Sequence, residues 1–135
     1  MLKEILSISG KPGLFKLVSS SANALIVESL IDGKRFPAYT STQVIALDDI
    51  AIYTESDDRP LRDVFKAINE KTNGEKAISH KESANAIKSY MLEVLPDYDQ
   101  DRVYVSDMKK LFQWFNLLQD KGMLNFDNEE TETKE

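Results

Sequence analysis

Up to Thr54 the apolar residues of this chain come in short runs broken by turn residues, whereas beyond Pro60 they recur every three to four positions. The first pattern belongs to pleated strands and the second to amphipathic helices. Strands followed by helices in one small chain point to an α+β fold.

The strand-like part begins with Leu14-Phe15-Lys16-Leu17-Val18, followed by the polar break Ser19 to Asn23 and the run Ala24 to Leu30. Asp32-Gly33 is a tight-turn dipeptide between two such runs. Arg35-Phe36-Pro37-Ala38-Tyr39 comes next, and Pro37 places it at an edge or a bend. Val44 to Leu47 and Ile50 to Tyr53 flank Asp48-Asp49. Five short strands in so few residues must curl to cover an apolar face. The expectation is a small SH3-like β-barrel over residues 1–56.

A three-helix region is expected over residues 57–126. Acidic residues and Pro60 mark a helix start, and Leu61, Val64, Phe65 and Ile68 form one stripe at i, i+3, i+4, i+7. Asn73-Gly74 ends it with residues tolerant of positive φ. Ser79 and Glu82 have capping-box spacing and would open a second helix, with Ala84, Ile87, Met91, Val94 and Leu95 on its buried side and Pro96 stopping it. A third helix starts near Ser106-Asp107. It carries Met108, Leu111, Phe112, Phe115 and Leu118, with Trp114 and Leu117 widening the stripe, and ends at Lys121-Gly122.

The net charge of −6 over 135 residues is unevenly placed. Residues 1–56 hold five Lys/Arg and six Asp/Glu, and residues 57–126 hold eleven and twelve, so each part carries −1. Residues 127–135 hold one Lys and five acids and no apolar side chain, which reads as a disordered acidic tail serving solubility. The chain has no cysteine, which excludes disulfides, thiolate metal sites and cysteine nucleophiles and fits a reducing compartment. No apolar run approaches the ~20 residues of a membrane span, and Met1 to Leu6 does not read as a secretion signal. The expected location is the cytoplasm, with no membrane partner.

Chemistry-bearing constellations are weak. Asp97-Tyr98-Asp99-Gln100-Asp101 has the spacing of a calcium loop, but Arg102 and Met108 stand where the loop needs glycine and a bidentate glutamate. The segment reads as an interhelical connector. Gly10-Lys11-Pro12-Gly13 lacks the upstream glycine of a phosphate loop, and Pro12 has no N–H to offer a phosphate. His80, the sole histidine, cannot build a typical zinc site without cysteines, and no Gly-x-Ser-x-Gly elbow presents a serine. Asp48-Asp49 and Asp57-Asp58 sit at element boundaries, where acids stabilise turns and helix starts. No enzyme activity, metal or cofactor is expected.

The strings Leu2 to Lys16, Ile26 to Leu30, Leu95 to Asp99 and Arg102 to Lys110 resemble an uncharacterised bacterial family of unknown function. The resemblance covers nearly the whole chain except the acidic tail. It implies an SH3-like N-terminal part and a helical C-terminal part, and it supplies no activity, cofactor or catalytic residue.

The remaining functional signal is a binding surface. Phe36, Tyr39 and Tyr53 offer aromatic surface near some of the cations Lys11, Lys16, Lys34 and Arg35, and small barrels bind peptides or nucleic acid through such faces. Trp114 on the third helix is a competing anchor. The expected function is a non-enzymatic interaction or adaptor module that docks a protein partner through the barrel face or the third helix. RNA binding and a structural homodimer are the alternatives, and the near-neutral body disfavours the first.

Overall fold

The computed structural model describes residues 4–11, 13–39 and 43–124. The chain divides into two compact units, one ending at Ile50 and the other spanning Ala51–Leu124. The Pro12 position of the phosphate-loop reading and the acidic tail lie outside the described residues.

The first unit is an antiparallel sheet of β1 (Ile5–Ile8), β2 (Phe15–Ser20), β3 (Ala24–Ser29), β4 (Arg35–Tyr39) and β5 (Val44–Ala46) in the order β4-β3-β2-β1-β5. A single 3-10 turn, Leu47–Asp49, follows. One face is apolar: Leu6, Ile8, Phe15, Val27 and Ala38 are buried together, with Leu17, Leu25, Phe36, Val44 and Ala46 packed against them. Val18 is the extra residue of a bulge, because Leu17 faces Val27 while Ser19 faces Ile26. Asp32-Gly33 turns the chain as expected. Gly33 takes φ +75°, the Gly33 N–H donates to the Ser29 carbonyl at 2.9 Å, and the Lys34 N–H donates to Asp32 Oδ1 at 3.0 Å.

Two features depart from expectation. The N-terminal segment supplies a strand the alternation did not reveal. β1 lies inside the sheet between β2 and β5, and both Ile5 and Leu6 are buried. A strand covered on both faces loses its alternation, so Ile5-Leu6-Ser7-Ile8 carries no period-2 signal. The second departure is a correction: the sheet is not closed into a barrel. β4 and β5 are its edges, with no ladder joining them among the described residues. The fifth strand expected at Ile50 to Tyr53 is not in this sheet, because β6 (Ala51–Ile52) pairs with β7 (Arg59–Pro60) in the second unit.

The second unit holds that short ladder and the helices α1 (Leu61–Thr72), α2 (Ala84–Val94) and α3 (Val105–Asp120). The expected stripe of α1 is its buried set, Leu61, Val64, Phe65 and Ile68. Asn73 ends α1 in the left-handed region, φ 56° and ψ 41°. α2 starts later than its capping-box signal. Ser83 Oγ accepts from the Ala86 N–H and is the N-cap, whereas Ser79 Oγ accepts from the Lys81 N–H at 3.2 Å in a local turn. Ala84 is therefore in the exposed first turn, and Ile87, Met91 and Val94 make the buried side. In α3 the buried set is Met108, Leu111, Phe112, Phe115 and Leu118, with Trp114 and Leu117 half-buried. Edge-to-face ring pairs join α1 to α3 (Phe65–Phe115, 5.6 Å) and α2 to α3 (Tyr90–Phe112, 5.2 Å).

Candidate functional site: the outer face of the sheet

Strand alternation sorts the candidate residues of the first unit. In the ladder between β3 and β4, Glu28 faces Arg35, Val27 faces Phe36, Ile26 faces Pro37 and Ala24 faces Tyr39. Phe36 and Ala38 therefore point to the apolar core face. Arg35, Pro37 and Tyr39 point to the opposite, outer face. Lys16 joins them there, because β2 places it directly across from Glu28.

The outer face carries a row of charges across three strands, Lys16–Glu28–Arg35. Arg35 Nε donates to Glu28 Oε1 at 2.9 Å. Glu28 thus separates two cations that would repel if adjacent. Beyond the row, Tyr39 is 58 % exposed and the bulged Val18 40 % exposed. Along β4 the three outward residues Arg35, Pro37 and Tyr39 are all exposed. Pro37 has no N–H and so blunts this edge against pairing with another strand.

Lys11 and Phe36 form a separate feature. The Lys11 ammonium lies 4.9 Å from the centroid of the Phe36 ring, and Phe36 meets Phe15 edge-to-face at 5.4 Å. This cation–π contact covers the half-buried ring at the margin of the core. Lys34 sits in the β3–β4 turn with an exposed side chain. Trp114 belongs to the second unit, half-buried on α3. Of the expected set, the structure unites Lys16, Arg35 and Tyr39 on one face and pairs Lys11 with Phe36. Pro37 and Glu28 complete the outer face. Counting every second residue from Arg35 identifies Pro37 as a neighbour of Tyr39, whereas the bulge at Val18 leaves no signal in the sequence.

In the second unit the Asp97–Asp101 segment is occupied by its own contacts. Asp99 Oδ2 accepts from Arg102 Nε at 2.8 Å and Asp99 Oδ1 from the Asp101 N–H at 2.9 Å. These bonds, the Arg102 one foremost, hold the Asp99 carboxyl below its ordinary pKa. The Arg102 guanidinium also stacks 4.2 Å from the Tyr53 ring centroid. Tyr53 to Glu55 runs against this connector: the Asp99 N–H donates to the Tyr53 carbonyl at 2.9 Å and the Glu55 N–H to the Asp97 carbonyl at 2.8 Å. Thr54, buried between them, donates its hydroxyl to the Asp57 carbonyl. Among the described residues no group of three or more metal-ligating side chains could hold an ion, and no helix is long and apolar enough to cross a membrane.

Residues 50–118 match the family model described as Domain of unknown function (DUF6852). The chain belongs to the DUF6852 family. Residues 2–47 match a second model, Domain of unknown function (DUF5606), so the DUF6852 match falls mainly on the helical unit and the DUF5606 match on the sheet. A solution NMR structure of a protein from Bacteroides vulgatus is similar to this DUF6852 member. It is 50 % identical, with a TM-score of 0.77 over 93 % of this chain and 91 % of that one. No curated protein matches the chain. The bacterial family of unknown function that the sequence resembles is thus the one to which it belongs.

Proposed function

We propose that the protein is a non-enzymatic interaction module of the cytoplasm that docks a protein partner on the outer face of its sheet. The observation that carries this reading is the exposed strip Arg35, Pro37 and Tyr39 along the edge strand β4, with Tyr39 58 % exposed. Tyrosine and arginine are enriched at protein interfaces because each offers a large contact area with a polar tip. Pro37 adds a rigid apolar step between them at no entropic cost. The alternating charges of Lys16, Glu28 and Arg35 give little basic field, which favours a protein over a nucleic acid.

The test is affinity capture with the full chain, with and without nuclease, using wild type, a Tyr39→Ser/Arg35→Glu variant and a control, Lys88→Ser, on exposed α2. The expected result is a nuclease-resistant protein partner retained by wild type and control and lost by the double variant. The same proteins on all three baits, or capture abolished by nuclease, overturns the proposal. Capture of the chain by itself, with a dimer in ultracentrifugation, replaces it with the homodimer.

A further inference from the structure

Asn73-Gly74, just past the end of α1, is the one Asn-Gly pair in the chain. Both residues are exposed. In a flexible peptide such a pair loses ammonia readily, because glycine has no Cβ to shield its nitrogen or to restrict the backbone. The Gly74 nitrogen, stripped of its proton, attacks Cγ of the Asn73 side chain. The new N–C bond closes a five-membered imide, the bond from Cγ to the amide nitrogen breaks, and ammonia leaves with a proton from water. Water then opens the imide at either carbonyl and gives aspartate or isoaspartate.

The fold opposes the first bond. Ring closure requires the Gly74 nitrogen and the Asn73 Cβ to eclipse one another about the Cα–C bond of Asn73. At ψ 41° the two stand nearly opposite each other. The Gly74 N–H donates to the Asn69 carbonyl at 3.0 Å, which keeps the nucleophile protonated. That carbonyl also accepts from the Asn73 N–H. On the other side, the Gly74 carbonyl accepts from Gln119 Nε2 of α3. Gly74 is thus held at its N–H by α1 and at its carbonyl by α3. Both residues are open to water, so conformation and not burial sets the lifetime of the Asn73 side chain.

We propose that Asn73-Gly74 is a latent deamidation site, kept closed by the left-handed end of α1 and by the Gln119 side chain. Modification then follows opening of this helix end, not solvent exposure. It runs one way. Aspartate places a carboxylate at the negative pole of α1, and isoaspartate inserts a methylene into the backbone where the helix end must re-form. The site lies in the second unit and does not depend on the sheet face, so either reading can fail alone.

Peptide mapping with isoaspartate detection, on the full chain aged in mildly alkaline buffer, tests the proposal. Wild type, Gln119→Ala and Gln119→Glu are each aged folded and in denaturing guanidinium; the glutamate variant keeps the side-chain length and lacks the donor. Folded wild type should deamidate at Asn73 more slowly than the denatured chain by about tenfold or more. Either folded variant should deamidate there faster than folded wild type by about threefold or more, with all three alike when denatured. A spectrum of each variant shows that it is folded, and the wild-type comparison stands without them. Equal rates in folded and denatured wild type, or a folded variant that deamidates no faster than folded wild type, overturns the proposal.

Discussion

Asn116 grips the backbone of Ala77 from both sides. Its Oδ1 accepts from the Ala77 N–H at 2.7 Å and its Nδ2 donates to the Ala77 carbonyl at 3.2 Å, with the Ile78 carbonyl a further acceptor at 3.2 Å. Gln119 Nε2, a turn later on α3, donates to the Gly74 carbonyl. The irregular connector between α1 and α2 is therefore fixed by the amide side chains of α3. Asn116→Ala leaves these backbone groups without their partner and should cost about 1–3 kcal/mol. Asn116→Asp keeps the acceptor alone and should fall between. Urea unfolding of both variants checks this, and equal stability of Asn116→Ala and wild type contradicts it.

Phe65 and Phe115 are both fully buried and meet edge-to-face. Either ring replaced by alanine leaves a large cavity where α1 meets α3, at about 3–5 kcal/mol. The double variant should cost less than the two singles together, because the ring pair is lost only once. Thermal unfolding of the four proteins gives the coupling; strict additivity would mean that the rings stabilise independently.

Asn73 holds the left-handed backbone that ends α1. Asn73→Ala should cost about 1 kcal/mol, since a Cβ without a local hydrogen bond is strained there. Asn73→Gly should stay within about 0.5 kcal/mol of wild type, because glycine adopts that region without strain. Denaturant midpoints of the two variants separate the backbone effect from any side-chain contact.

The Asp99 carboxyl has its pKa lowered in the folded chain, chiefly by the Arg102 hydrogen bond. A folded value below the unfolded one, near about 3.9, makes a stabilising contribution that is present above the unfolded value. It is lost as pH falls through the folded value. Carboxyl resonances should show Asp99 titrating below the ordinary aspartate range, and Arg102→Met should return it toward that range. An unchanged Asp99 midpoint in Arg102→Met contradicts the assignment.

The helices were legible because one face of each is buried, so spacing alone marks Leu61, Val64, Phe65 and Ile68 or Met108, Leu111, Phe112 and Phe115. The start of α2 was not. Ser79 and Ser83 both stand three residues before a polar or small residue, and only the fold of the connector decides which one caps the helix. The sheet was legible where one side faces solvent and illegible at β1, whose two covered faces erase the alternation. The outer site is half legible: Lys16, Arg35 and Tyr39 stand out in the sequence, but Phe36 and Tyr39 are three positions apart, and three positions on a strand means opposite faces. Open rather than closed pairing depends on where the chain from Ile50 to Tyr53 goes, and its partner, Arg59–Pro60, lies in a helix-start signal.

The most direct measurement of the central claim is the equilibrium affinity of the captured partner for wild type and for Tyr39→Ala. Tyr39 is exposed, so its truncation should leave the folded spectrum and the unfolding midpoint unchanged. As the anchor of the docking face, it should weaken binding by about tenfold or more. An affinity equal to wild type, with the partner still bound, contradicts an interface on the outer face of the sheet.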